Sequence, residues 1–76
     1  MILLKATNIE SGNEAYLSDL TSHKKTRFTT DVRLARKFSD MKFAKLWFAG
    51  HYGNDLEMDK YCDFYLLSIS REERLA

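Results

Sequence analysis

Apolar and polar residues alternate over several short stretches of the chain, and this alternation predicts β-strands. A first strand is expected over residues 2–7 and a second over residues 14–20, joined by turn-forming residues at 11–13. Residues 26–29 predict a brief third strand. Residues 61–70 are the most strand-like run and carry apolar side chains on both faces, so we expect this last strand to pair beside the first one.

The period changes to that of an amphipathic helix in the middle of the chain. Residues 32–38 predict a first helix with Thr30 as its N-cap, and the apolar and basic residues of this helix fall on opposite arcs. A second helix is expected over residues 40–49, capped by Ser39 and followed by Gly50 as the residue just past its end. The two helices are therefore predicted to follow one another directly.

These elements together predict an α+β fold, with a small antiparallel sheet of three to four strands and two short consecutive helices on one face, in the order β-β-(β)-α-α-β. Residues 1–70 are expected to form a single compact domain, and residues 71–76 a charged C-terminal tail or one frayed helical turn. At 76 residues, the chain is near the lower size limit for one hydrophobic core without disulfides or metals.

The apolar arc of the second predicted helix is unusually wide, because it covers more than half of the circumference. Its apolar members are Met41, Phe43, Ala44, Leu46, Trp47 and Phe48, and the remaining polar strip holds Lys42, Lys45 and Ala49. One small sheet is too narrow to cover an apolar arc of this width. Either neighbouring segments flank the helix, or part of the Trp47 and Phe48 surface is an interface.

Aromatic residues make up 13% of the chain, more than a small core needs. Core filling accounts for Phe38, Phe43 and Phe64. Partner binding is the better interpretation for a second group, because Trp and Tyr give a large contact area at low entropic cost. That group consists of Trp47, Tyr52, Tyr61 and Tyr65. Self-association into a homodimer would use the same area.

Charge is unevenly distributed along the chain, although the net charge is only +1. Residues 23–46 hold eight basic residues against two acidic ones, whereas the segments on either side are net negative. On the two predicted helices, the basic residues lie on outward arcs. This segregation predicts an exposed basic face, for which a solvated helix surface is the plainer alternative.

The predicted partner-binding residues combine the basic face with nearby aromatic side chains. They are Arg33, Arg36, Lys37, Lys42, Lys45, Trp47 and Tyr52. Such a surface suits an acidic protein or the phosphates of a nucleic acid. The sequence has no helix-turn-helix, RNP aromatic pair, GXXG loop or zinc-finger spacing, which favours an acidic protein over a specific nucleic-acid reader.

Candidate chemistry is sparse, and we expect no catalytic residue, metal or cofactor. The carboxylates of Asp55, Glu57 and Asp59 lack the glycine and final glutamate of a calcium loop. The two histidines and the single cysteine, Cys62, are not at zinc-ligand spacing, and a mid-strand Cys62 is best interpreted as a small buried thiol. A small toxin-like ribonuclease using a histidine or Cys62 is the enzymatic alternative.

Neither a signal peptide nor an apolar run of membrane-spanning length is apparent, and a lone cysteine suits a reducing compartment. We therefore expect a soluble protein of the cytoplasm.

The chain combines a Tyr-Leu strand at Tyr16-Leu17, an aromatic-Thr-x-Asp helix entry at residues 28–31, then Ala35 and Phe38, and a second predicted helix with a core Ala44. This pattern resembles that of short bacteriophage and prophage accessory proteins. This resemblance implies a phage protein that inhibits a host protein or a host defence system. The expected function is stoichiometric binding through the basic face and aromatic residues, with a nucleic-acid-binding accessory protein as the alternative.

Overall fold

The fold is a five-stranded antiparallel sheet with one α-helix, in a computed structural model that describes residues 1–22, 25–51 and 61–76. Within those residues the elements follow a simple order. They are β1 (Leu3–Asn8), β2 (Glu14–Leu17), β3 (Phe28–Thr29), a 3₁₀ turn (Val32–Leu34), α1 (Met41–His51), β4 (Cys62–Leu67) and β5 (Glu72–Arg74).

The strands lie in the order β3-β2-β1-β4-β5, and each neighbouring pair is antiparallel. β1 and β4 pair over their full length, from Leu3 opposite Leu67 to Asn8 opposite Cys62, so the position predicted for the long C-terminal strand is correct. The β1–β2 hairpin turns at Gly12, whose φ of 75° is readily adopted by glycine. These central strands are the frame on which the other segments pack.

The core lies between one face of the sheet and α1. Alternate residues of β1 and β4 point into it, and the Phe48 ring of α1 lies 5.2 Å from the Phe64 ring, centroid to centroid. Phe38 and Phe64 are buried, as predicted for core residues, and so is Cys62. The core residues are Ile2, Leu4, Ala6, Leu17, Phe38, Ala44, Phe48, Cys62, Phe64 and Leu66.

The first predicted helix is wrong. Only Val32–Leu34 form a single 3₁₀ turn, and the chain then becomes extended. Phe38 exchanges two backbone hydrogen bonds with Ile2, of 3.0 and 2.8 Å, and Ala35 forms a bridge with Ser18. The ends of β1 and β2 thus supply backbone partners to this segment. A seven-residue helix would gain few hydrogen bonds for the cost of its nucleation, so the tertiary pairing prevails.

The second predicted helix exists, but both of its ends differ from expectation. Asp40, rather than Ser39, is the N-cap, because its Oδ1 accepts a 2.7 Å hydrogen bond from the amide of Phe43. Gly50 lies inside the last turn and not beyond it, since α1 continues to His51. The His51 Nδ1 lies 2.7 Å from the carbonyl oxygen of Trp47, where the ring ties the end of the helix to its own backbone.

The C-terminal residues form part of the sheet and not a tail or a helical turn. β5 pairs with β4, and the Leu75 amide donates a 2.7 Å hydrogen bond to the carbonyl of Phe64. Leu75 and Ala76 pack against the core. The predicted fold of three to four strands and two helices is therefore corrected: within the described residues, the fold is a five-stranded sheet with one helix and a 3₁₀ turn. β5 was not recognised in the sequence because its residues are charged. Such charged residues are typical of an edge strand that is protected against aggregation.

Candidate binding surface

Arg33 lies in the 3₁₀ turn and is paired locally. Its guanidinium donates to both carboxylate oxygens of Asp31, at 3.1 and 2.9 Å, and Asp31 also accepts a hydrogen bond from the Arg33 amide. The side-chain hydrogen bonds from Arg33 are the main cause that lowers the pKa of the Asp31 carboxyl, and the same contact raises the pKa of Arg33. Although the Arg33 side chain is exposed, its charge is largely neutralised by Asp31.

Arg36 and Lys37 donate to backbone carbonyls. The half-buried Arg36 donates a 2.7 Å hydrogen bond to the carbonyl of Thr21, and the Thr21 hydroxyl in turn bonds the backbone of Arg27. Lys37 donates to the carbonyl of Ala35 at 3.0 Å. These cations hold the extended segment in place, and neither forms an ion pair within the described part of the chain. Arg36 is thus mainly structural.

Lys45 and Lys42 lie on the same helix but differ in their partners. The Lys45 ammonium forms a 2.6 Å ion pair with Glu73 of β5, and the Lys45 hydrogen bond is the main cause that lowers the pKa of Glu73. Arg71 reaches the other oxygen of the same carboxylate at 3.1 Å. Lys42 is exposed, and its ammonium has no hydrogen bond or ion pair with any described residue. It is the predicted site residue that is free to meet a partner.

Trp47 is half-buried and engaged within the fold. Its ring stacks on His51 at 3.9 Å with an interplanar angle of 13°, and it lies 6.1 Å from the Phe38 ring. Tyr61 is exposed and Tyr65 is half-buried. Tyr52 lies outside the described residues, as do His23 and the carboxylate run at 55–59. The structure therefore brings together only part of the predicted site.

The exposed apolar residues of α1 are Phe43 and Leu46, at 57% and 64% exposure. Phe43 was predicted to fill the core and is exposed, whereas Phe48, whose surface was one of two alternatives for an interface, is buried. At 100° per residue, Phe43 and Leu46 lie on the outward arc with Lys42. We call Lys42, Phe43 and Leu46 the helix patch. The wide apolar arc of this helix predicted an uncovered apolar surface as one alternative, but it did not indicate which residues would be exposed.

A second exposed group lies in the 3₁₀ turn. Val32 and Leu34 are each 51% exposed, on either side of Arg33. Residues 32–46 thus carry two exposed apolar groups, Val32 with Leu34 and Phe43 with Leu46, together with several cations. Phe38 connects the extended segment to α1, because its ring lies 6.0 Å from that of Phe43.

The sheet face opposite α1 has a different character, because its charges are paired. Lys5, on β1, donates to Glu14 of β2 at 2.9 Å and to Glu72 of β5 at 2.6 Å, and its ammonium lies 4.9 Å from the centre of the Tyr65 ring. The hydrogen bond to Glu72 is the main cause that raises the pKa of Lys5. On the same face, Arg74 pairs with Asp63 at 2.9 Å.

The described residues contain no group of three or more His, Cys, Asp or Glu side chains placed to hold a metal ion. The thiol of Cys62 is buried in the core, and burial raises its pKa, which disfavours the reactive thiolate. No helix found within the described ranges has the length and apolar character needed to cross a bilayer.

No family model, no curated protein and no solved structure matches this chain.

Proposed function

We propose that this chain is a small binding module that inhibits a protein with an acidic surface by stoichiometric association. The observation that supports this most strongly is the helix patch, where exposed Phe43 and Leu46 lie beside a lysine that has no partner within the described structure. Exposed apolar side chains next to free cations suit a protein interface, in which apolar burial supplies affinity and charge supplies specificity.

The resemblance to short bacteriophage proteins is the basis for proposing that the partner is a host protein, such as a component of host defence, and that the encounter takes place in the bacterial cytoplasm. The basic residues are fewer in this proposal than the sequence predicted. Lys42 has the main electrostatic role, whereas Arg33, Arg36 and Lys45 chiefly stabilise the fold through the contacts described above.

A nucleic-acid-binding accessory protein is the second candidate. It is favoured by the cations that have no carboxylate partner in the described residues, namely Lys25, Arg27, Arg36, Lys37 and Lys42. The ribonuclease alternative is weakened, because Cys62 is buried.

Capture from bacterial lysate, followed by mass spectrometry, tests the proposal. Lys42→Glu combined with Leu46→Ser should remove the captured protein, because the change deletes apolar area and reverses the free charge. The matched control is Lys25→Glu combined with Leu20→Ser, since both of these residues are also exposed. Equal capture by the two variants would show that the helix patch is not the binding surface.

Salt distinguishes the two candidates. Binding of an acidic protein through an apolar centre should persist at 0.5 M NaCl with a loss of about tenfold or less, whereas nucleic-acid binding should fall steeply with salt. Capture of nucleic acid alone, lost at high salt, would favour the second candidate.

A further inference from the structure

The outward arc of α1 carries two large apolar side chains, Ala49 and two lysines, and no carboxylate. Phe43 and Leu46 are three residues apart, so their side chains are neighbours along the helix axis. Lys42 is four residues before Leu46 and lies on the same side. The arc therefore holds an apolar pair that spans about one helical turn, with lysines beside it.

We propose that this arc binds an acidic amphipathic helix of the partner protein, lying lengthwise on α1. This inference depends on the proposed function and specifies the recognised structure. Apolar residues spaced by three or four positions on the partner helix would pack against Phe43 and Leu46, in the manner of two helices that bury facing apolar strips. A glutamate or aspartate on the flank of that helix would meet the ammonium of Lys42.

Charge complementarity argues for this occupant over a second copy of the chain. A two-fold contact between two α1 helices would bring together faces that hold only lysines, without a carboxylate on either face to pair with them. The acidic groups next to this face are already engaged, because Asp40 accepts a hydrogen bond from the amide of Phe43 and Glu73 is shared by Lys45 and Arg71. Self-pairing through this arc is therefore unfavourable.

The same arc is a poor site for a nucleic-acid backbone. Phosphate binding draws its affinity from several cations that release counterions together. Here Lys45 is held by Glu73, which leaves Lys42 as the unpaired cation among the described residues of the arc, and the centre is apolar. An apolar centre with one free charge matches an acidic helix better than a row of phosphates.

Three synthetic peptides of about 15 residues test this inference with the folded protein. The first has Leu at helical spacing and Glu on its flanks, the second has the same composition in an order without an apolar face, and the third has Lys in place of Glu. Backbone amide shifts of the isotope-labelled protein report binding. The first peptide should bind with a Kd on the order of 10–100 µM, as expected for a small interface, and should shift the amides of Phe43 and Leu46. The other two should bind at least tenfold more weakly.

Charge-reversal variants test whether Lys42 is responsible for the preference between the acidic and the basic peptide. Lys42→Glu should weaken the acidic peptide at least fivefold and strengthen the basic one, whereas Lys25→Glu should change neither. Equal binding of the first two peptides would overturn helix recognition while leaving the acidic-partner function intact. Equal binding of the first and third would overturn charge complementarity. Absence of any shift at the helix patch, or a shift there with a single-stranded oligonucleotide alone, would also overturn the inference, and the lysate experiment would then decide the proposed function separately.

A second copy as the occupant has its own signature. If the molar mass by light scattering doubled with concentration and Phe43→Ser abolished the doubling, the arc would be a homodimer interface and the inference would fail. A constant monomer mass is the expected result.

Discussion

The sheet face opposite α1 and the helix patch both carry a lysine, but the two lysines have different surroundings. Lys5 is enclosed by two carboxylates and a tyrosine ring, and its side chain is only 11% exposed. Lys42 is exposed beside two exposed apolar side chains, without a partner in the described structure. The number of basic residues therefore does not define a binding surface. What matters is whether the fold already uses each charge.

The aromatic pair Phe38 and Phe43 allows the largest test of this difference. Phe38 is buried where the extended segment meets α1, whereas Phe43 is largely exposed. Phe38→Ala should lower the free energy of unfolding by about 3–4 kcal/mol, because it leaves a cavity in the core. Phe43→Ala should lower it by about 1 kcal/mol or less. Urea unfolding followed by circular dichroism measures both, and equal losses would contradict the assignment.

Arg36 was predicted to bind a partner, and the structure gives it a structural role. Arg36→Met removes the hydrogen bond to the Thr21 carbonyl and should reduce the free energy of unfolding by about 1–2 kcal/mol. The control is Arg27→Met, because Arg27 is exposed and uses its backbone, not its side chain, in the contact with Thr21. That change should have an effect within about 0.5 kcal/mol. If both variants unfold at the same urea concentration, Arg36 does not anchor this segment.

The two lysines give a smaller and more direct comparison. Lys5→Met should destabilise the protein by about 1 kcal/mol, because it leaves Glu14 and Glu72 without their shared partner. Lys42→Met should change stability by less than about 0.5 kcal/mol, since no described contact is lost. Thermal unfolding of the two variants measures the difference. A larger loss at Lys42 would mean that this residue has a role in the fold.

The smallest expected effect is a change in the unfolding temperature at acid pH. The pKa values of Asp31 and Glu73 are lowered in the folded chain, mainly by hydrogen bonds from Arg33 and Lys45 respectively. A lowered folded-state pKa stabilises the protein above the unfolded pKa, and the contribution is lost as the pH falls through the folded value. The unfolding temperature should therefore decline as pH falls below about 5, and Lys45→Met should reduce the part of this decline that comes from Glu73. An unchanged decline in Lys45→Met would show that this ion pair contributes nothing to it.

Strand alternation predicted the sheet well where one face is buried. The apolar residues on both faces of the last strand predicted its place beside the first strand, and the burial of β1 and β4 alternates along each strand in the structure. β5 could not be predicted in this way, because its three residues, Glu72, Glu73 and Arg74, are all charged and are held by pairing with β4. Propensity and periodicity carry no information about such a tertiary partner.

The helical assignment of residues 32–38 failed for a related reason. Ala35 and Phe38 have helical spacing, but both are equally well buried in an extended chain that pairs with Ser18 and Ile2. The sequence also does not determine which face of α1 packs on the sheet. Its apolar arc is wide enough for the helix to be buried in more than one rotation about its own axis. Phe48, and not Phe43, faces the sheet. The candidate site is therefore the helix patch and not the whole predicted basic face, and Lys42 belongs to both.

The most direct measurement is the affinity of the captured partner for the two matched double variants. We expect Lys42→Glu with Leu46→Ser to weaken binding at least tenfold, and Lys25→Glu with Leu20→Ser to leave the affinity of the original chain unchanged. Unfolding temperatures measured beside the affinities confirm that both variants are folded. Equal affinity in the two folded variants, or a loss confined to the second, would contradict the assignment of the helix patch as the binding surface.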